Sequence, residues 1–111
     1  MKTASNAYLR RNYRLINERF FEGKLPVDVS VRFANLDEDE ADGCYIYADH
    51  EILIDRGLQC HHNHALITLI HEMIHVALPE YIGWTEEEEH GDRFEAMRGE
   101  LYLKGVYDGL L

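Results

Sequence analysis

The chain has 111 residues and a mass of 13.0 kDa, a size that fits one domain with a modest core. Hydrophobic residues make up 46% and charged residues 29%, which indicates a folded globule rather than a disordered chain. The net charge of −10 argues against a nucleic-acid-binding protein, because phosphate contacts need clustered Lys and Arg. The sequence has neither an apolar run long enough for a membrane span nor the apolar core of a signal peptide. We therefore predict a single domain over residues 1–111 that does not contact a membrane.

The charge is unevenly distributed along the chain. Residues 1–24 carry six basic and two acidic groups, a net +4, and the remainder carries −14. This basic stretch is either a solvated helix face or a contact surface for nucleic acid or an acidic partner. Cys44 and Cys60 are 16 positions apart and not in a CxxC pair. We interpret them as reduced cysteines of a cytoplasmic protein, in the host cytoplasm if the chain is phage-encoded.

The N-terminal third predicts a helix followed by a strand. Residues 5–22 have apolar side chains every three or four positions, as on one face of a helix, at Leu9, Tyr13, Ile16 and Phe20. Gly23 is expected to end this helix, and Pro26 blocks its continuation. Residues 27–33 then alternate between apolar and polar, which predicts a half-buried strand with Val27, Val29, Val31 and Phe33 facing inward.

The rest of the chain predicts a hairpin and two helices. Residues 44–48 and 51–55 read as short strands joined by a tight turn at Asp49-His50. Residues 61–77 predict a helix with apolar residues around most of its circumference, so we expect it to be central to the fold. A last helix holds Phe94, Met97, Leu101 and Tyr102 on one face. The predicted class is α+β, with an N-terminal helix, a small three-stranded sheet, the central helix and a C-terminal helix in chain order.

One motif in the central helix carries chemistry. His71, Glu72 and His75 form an HExxH sequence. Residues at i and i+4 are neighbours on one helix face, so both imidazoles can bind one zinc ion. Glu72, beside them, is then placed to act as general base toward a metal-activated water. Three polar groups inside so apolar a helix are costly unless they are paired, which also favours a metal site.

Two histidines leave a catalytic zinc short of its usual third protein ligand. His64 shares the helix face but lies about 10.5 Å along the axis from His71, too far to share an ion. A turn at residues 79–83 can return His90 to the helix, and we favour His90 as the third ligand. The remaining candidates are His50, expected in a turn, His61 and His62, expected at the exposed helix start, and the carboxylates Glu86, Glu87, Glu88, Glu89 and Glu95.

Three stretches together resemble the SprT-like (Spartan-type) zinc metallopeptidase domain. They are FFEGKLP at residues 20–26, HEMIHVAL at residues 71–78 and HGxxF at residues 90–94, and the resemblance covers residues 8–100. It implies a zincin-like α+β fold, His71, His75 and His90 as zinc ligands, and Glu72 as the catalytic glutamate. Some members of the family cut proteins crosslinked to DNA. The chain resembles the catalytic core of this family without the C-terminal zinc ribbon that many relatives carry.

The sequence therefore predicts a zinc-dependent peptidase with Zn²⁺ as cofactor and a protein or peptide as substrate. The alternative is a non-catalytic, zinc-stabilised binding or regulatory module. A third hypothesis is a peptidase that acts on DNA-associated proteins, and the acidic charge requires the basic N-terminal helix or a partner to supply the DNA contact.

Overall fold

The structure is a computed structural model that describes residues 3–37, 41–78 and 91–110. Within these residues it contains three α-helices and a three-stranded sheet, which confirms the predicted α+β class. The zincin-like arrangement and the single-domain boundaries 1–111 remain predictions. In chain order the elements are α1 (Asn6–Phe20), β1 (Ser30–Ala34), β2 (Gly43–Ile46), β3 (Glu51–Asp55), a 3-10 helix (Arg56–Cys60), α2 (His62–Ala77) and α3 (Asp92–Leu103).

The sheet has the strand order β1-β3-β2. Strand β3 pairs in parallel with β1, opposing Val31 to Ile52, and antiparallel with β2, opposing Tyr45 to the same Ile52. Val31 and Ile52 belong to a core cluster that also includes Leu9 of α1 and Leu69 of α2, so both helices cover this face. The parallel β1–β3 pair requires a crossover connection. Strand β2 lies within that connection and pairs with the other edge of β3.

Helix α1 follows the predicted apolar periodicity and also buries one polar residue, Asn17. Ser5 caps its N-terminus, because the Ser5 side chain accepts a hydrogen bond from the Tyr8 N–H at 3.1 Å. The helix ends at Phe20, two residues before the predicted end, and Gly23 then adopts a left-handed φ of 70°. The buried Asn17 amide donates to the Leu25 carbonyl and accepts from the Leu25 N–H, each at 3.0 Å. These two bonds tie the following loop to the helix.

The predicted start of the first strand is wrong. Strand β1 begins at Ser30, and Val27 is 88% exposed instead of facing inward. The Tyr13 hydroxyl donates to the Pro26 carbonyl at 2.6 Å, which holds the chain against α1 just before Val27. Burial raises the pKa of Tyr13 to about 12, so this hydroxyl remains a donor. Val29 does point inward, as predicted.

The predicted hairpin is present, but its turn is longer than expected. Strand β2 ends at Ile46, so four residues, 47–50, connect it to β3 instead of the Asp49-His50 pair alone. The turn is closed by the His50 N–H, which donates to the Tyr47 carbonyl at 3.1 Å, and His50 has a left-handed φ of 52°. The structure thus confirms His50 as a turn residue.

Helix α3 buries Phe94 and Leu101 and half-buries Met97, as the sequence predicts. Tyr102 was expected on the same face but is 56% exposed. In an ideal helix it lies 100° around the axis from Leu101, beyond the face that packs on the core.

None of the helices in the described residues combines the length with the apolar character that crossing a bilayer requires. Neither Cys44 nor Cys60 forms a disulfide within the described residues.

Candidate metal centre

The HExxH residues lie in the C-terminal half of α2, a helix that contacts both the sheet and the other helices. Helix α2 contacts β2 and β3 on the sheet and also packs against α1 and α3. Ile70, directly before the motif, and Met73 and Ile74, the two middle residues of the motif, are fully buried. The motif is therefore held on a helix whose position is determined from several sides. A site on such an element keeps its geometry better than a site on a loop.

The two imidazoles of the motif are adjacent. The ring centres of His71 and His75 are 5.1 Å apart with an interplanar angle of 70°, and both side chains are half-buried. Two histidines on one helix face, each partly accessible to solvent, supply nitrogen ligands of the kind that zinc binds. Within residues 3–37, 41–78 and 91–110, no three His, Cys, Asp or Glu side chains form a metal-binding group. The predicted third ligand, His90, lies outside the described residues, so the complete ligand set stays a prediction.

Glu72 lies on the side of α2 that faces the sheet. It is 5% exposed, whereas the two histidines beside it are half-buried. Strand β2 passes close to it at Gly43, where a Cβ would lie 2.7 Å from Thr68 Cγ2 and 3.4 Å from Glu72 Cγ. The strand can come this near only because Gly43 has no side chain. Gly43 thus determines how closely the edge of the sheet encloses Glu72.

We expect Gly43→Ala to destabilise the protein by about 1–3 kcal/mol, because the new methyl group must displace Thr68 or the strand. Urea unfolding measures the loss. Changing Thr68 to Ser as well removes the clashing Cγ2 and should recover part of it. Gly99→Ala is the matched control, because a Cβ there meets nothing within 4 Å and should stabilise α3 by up to about 1 kcal/mol. Equal stability of Gly43→Ala and the wild type would contradict this account.

The structure places most of the other candidate ligands in different roles. The His64 ring lies two turns before His71 and pairs with Asp42, with 3.1 Å between Nε2 and Oδ2. His61 is exposed at the start of α2, and the half-buried His62 packs against the Tyr8 ring. His61 and His64 lie as expected, whereas His62, expected at the exposed helix start, is half-buried.

The last two candidate zinc ligands in the described residues, Glu95 and His50, also interact with other side chains. Glu95 is exposed and accepts a hydrogen bond from Arg98 at 2.6 Å. His50 lies in the β2–β3 turn, where its Nδ1 is 3.6 Å from Asp28 Oδ1. The glutamates at residues 86–89, like His90, lie outside the described residues.

Sequence reasoning missed two residues that shape the site, Gly43 and Phe94. The helical spacing of Phe94 predicts a core residue, and Gly43 is not among the predicted site residues. Phe94 contacts both motif histidines, with ring centres 5.0 Å from His71 and 4.9 Å from His75. The sequence could have indicated both residues by their neighbours. Phe94 is the last residue of the HGxxF stretch, and Gly43 is the first residue of the hairpin.

The chain was compared with known proteins in three ways. No curated protein and no solved structure matches it. The model of the SprT-like family matches residues 9–104, which include most of α1, the sheet, the HExxH motif and α3. The match spans most of the chain, and this protein therefore belongs to the SprT-like family.

Proposed function

We propose that this protein is a zinc-dependent peptidase that hydrolyses protein substrates. The observation that carries the proposal is the pairing of two adjacent imidazoles with one buried carboxylate on the central helix. Together with a third metal ligand, these are the groups that metal-assisted amide hydrolysis needs. Membership of a family that is generally associated with zinc and metallopeptidases supports the same assignment.

In this proposal His71, His75 and His90 hold the ion through neutral imidazole nitrogens. Zinc, when bound, supplies a Lewis acid that acidifies water and stabilises negative charge on the carbonyl oxygen. Glu72 removes a proton from the attacking water as the water oxygen bonds to the carbonyl carbon. It then gives that proton to the amide nitrogen as the C–N bond breaks, which leaves an acid and an amine. Burial against β2 limits the conformations available to the Glu72 side chain.

The zinc content of the purified protein and the cleavage of an unfolded protein test this function together. We expect about one zinc per chain, and cleavage that stops on chelation and returns when zinc is added. Zinc binding without turnover on any unfolded protein would favour the non-catalytic, zinc-stabilised module instead. Failure to bind zinc when it is supplied at neutral pH would overturn both assignments.

A second proposal concerns where the peptidase acts. The solvent-facing side of α1 carries four exposed arginines that form no ion pair within the described residues: Arg10, Arg11, Arg14 and Arg19. Because the chain after residue 24 carries a net −14, this side of α1 stands out as basic on an acidic protein. We propose that it binds single-stranded DNA and directs the peptidase to DNA-associated proteins.

Binding of a single-stranded oligonucleotide at several salt concentrations tests this second proposal. We expect affinity to fall as salt rises, and to be lost when Arg10, Arg11 and Arg14 are all changed to Glu. The matched control changes the same three residues to Lys, which preserves the charge and should preserve most of the binding. No binding by the wild type at low salt would refute the DNA contact and leave the peptidase assignment intact.

A further inference from the structure

Three aromatic rings meet at the candidate metal centre, those of His71, His75 and Phe94, which we call the ring triad. The ring centres of each pair are 4.9–5.1 Å apart. Phe94 is only 2% exposed and lies in the first turn of α3, whereas both histidines are half-buried on α2. A side chain from one helix therefore packs against both motif imidazoles of another.

This packing bears on how the imidazoles are oriented. The χ2 torsion of a histidine is a broad, roughly two-fold torsion, so packing is needed to hold an imidazole plane in one orientation. The Phe94 ring is tilted 58° to the His71 ring and 38° to the His75 ring, so it restricts both rings at once. Ordering the rings before an ion arrives removes a conformational cost from binding.

The chemistry of the contact also favours an aromatic residue here. The Phe94 ring is tilted against both imidazoles, and tilted aromatic pairs at this separation attract each other beyond their buried area. A leucine at the same position would fill much of the volume but would have neither the flat surface nor the ring electrostatics. Phe94 therefore has a role at this place that burial alone does not explain.

We propose that Phe94 is a positioning residue that holds the His71 and His75 imidazoles in the orientation that metal binding needs. The proposal rests on the proposed function for the existence of the metal site, but the ordering of the rings is a property of the metal-free protein. It also assigns a role to α3, because the helix that carries Phe94 packs on α2 and begins just after His90 in the sequence.

The test compares Phe94→Leu with Leu101→Ala. Leu101 is also buried on α3, two turns further along, and it is not part of the ring triad. Both variants remove core contacts of the same helix, so a purely structural role for Phe94 predicts similar behaviour. Phe94→Met serves as a second ring-removing variant if Phe94→Leu does not fold, as judged by circular dichroism.

Two readouts are needed, one without metal and one with zinc alone. In the metal-free protein, NMR should show the His71 and His75 ring protons shifted in Phe94→Leu by the loss of the phenyl ring current, and averaged by faster ring motion. In a chelator competition, zinc should bind Phe94→Leu about tenfold more weakly than the wild type, in the range seen when residues that orient a ligand are changed. Leu101→Ala should match the wild type in both.

The outcomes separate this proposal from the proposed function. Wild-type zinc affinity in Phe94→Leu, or an equal loss in Leu101→Ala at matched stability, would overturn the positioning role while leaving the zinc site standing. A wild type that binds no zinc would overturn the proposed function, and the NMR comparison would still decide whether Phe94 orders the two rings. Unchanged histidine spectra in the metal-free variant would refute that ordering directly.

Discussion

Glu72→Gln should reduce peptide-bond cleavage by about 10²–10⁴-fold while leaving the zinc content unchanged. The amide is nearly the same shape as the carboxylate but cannot accept the proton of the attacking water, and a positioned acid–base group contributes a rate factor of this size. Glu72 is not one of the predicted ligands, so the metal site should survive its replacement. Cleavage of an unfolded protein and elemental analysis of the same sample measure both quantities.

The control for this variant is Glu18→Gln. It makes the same chemical change at an exposed position of α1 and should cleave like the wild type. Circular dichroism of both variants guards against loss of fold, since Glu72 is buried and Glu18 is not. Substantial cleavage by a folded, zinc-loaded Glu72→Gln variant would remove the general-base assignment.

The second large effect is expected for the predicted third ligand. His90→Ala should weaken zinc binding by more than about a hundredfold, because changing a residue that only supports a ligand already costs ten- to a hundredfold. His75→Ala should lose zinc to a similar extent, since it removes one of the two adjacent imidazoles. Chelator competition gives the dissociation constants, and elemental analysis gives the metal content after purification.

His64→Ala provides the comparison within the same helix. Its ring pairs with Asp42 two turns before the motif, so its loss should leave the zinc affinity within about twofold of the wild type. Wild-type zinc affinity in His90→Ala would contradict the ligand assignment. Substitutions of Glu86, Glu87, Glu88 and Glu89 would then identify a carboxylate ligand in its place.

Much of the local structure could be predicted because it depends on periodicity and on residues close in sequence. The apolar spacing of α1, the apolar girth of α2 and the buried positions 94 and 101 of α3 each follow from one face meeting a core. The proximity of His71 and His75 follows from the pitch of a helix in the same way. The hairpin was also readable, although its turn is longer than predicted.

The differences arise where distant residues compete with local pattern. Val27 continues the alternation of β1, yet the contacts of Tyr13 with Pro26 and of Asn17 with Leu25 hold this part of the chain on α1. The alternation of apolar and polar residues predicts which side of a strand each side chain would face. It carries no information about hydrogen bonds that prevent the strand from starting there.

The sequence by itself determined the chemistry of the candidate site, because the HExxH spacing places two imidazoles and a carboxylate together on one helix wherever that helix lies. Hydrophobic period also predicted the three α-helices and three strands of the described residues, but not the 3-10 helix at Arg56–Cys60. Only the tertiary structure decided that β3 lies between β1 and β2, that Gly43 brings β2 against Glu72, and that Phe94 packs on both histidines. The β1–β3 pairing and the contacts of Gly43 with Glu72 and of Phe94 with the histidines join residues about 20 to 30 positions apart. They depend on how whole elements pack and leave no periodic trace in the chain.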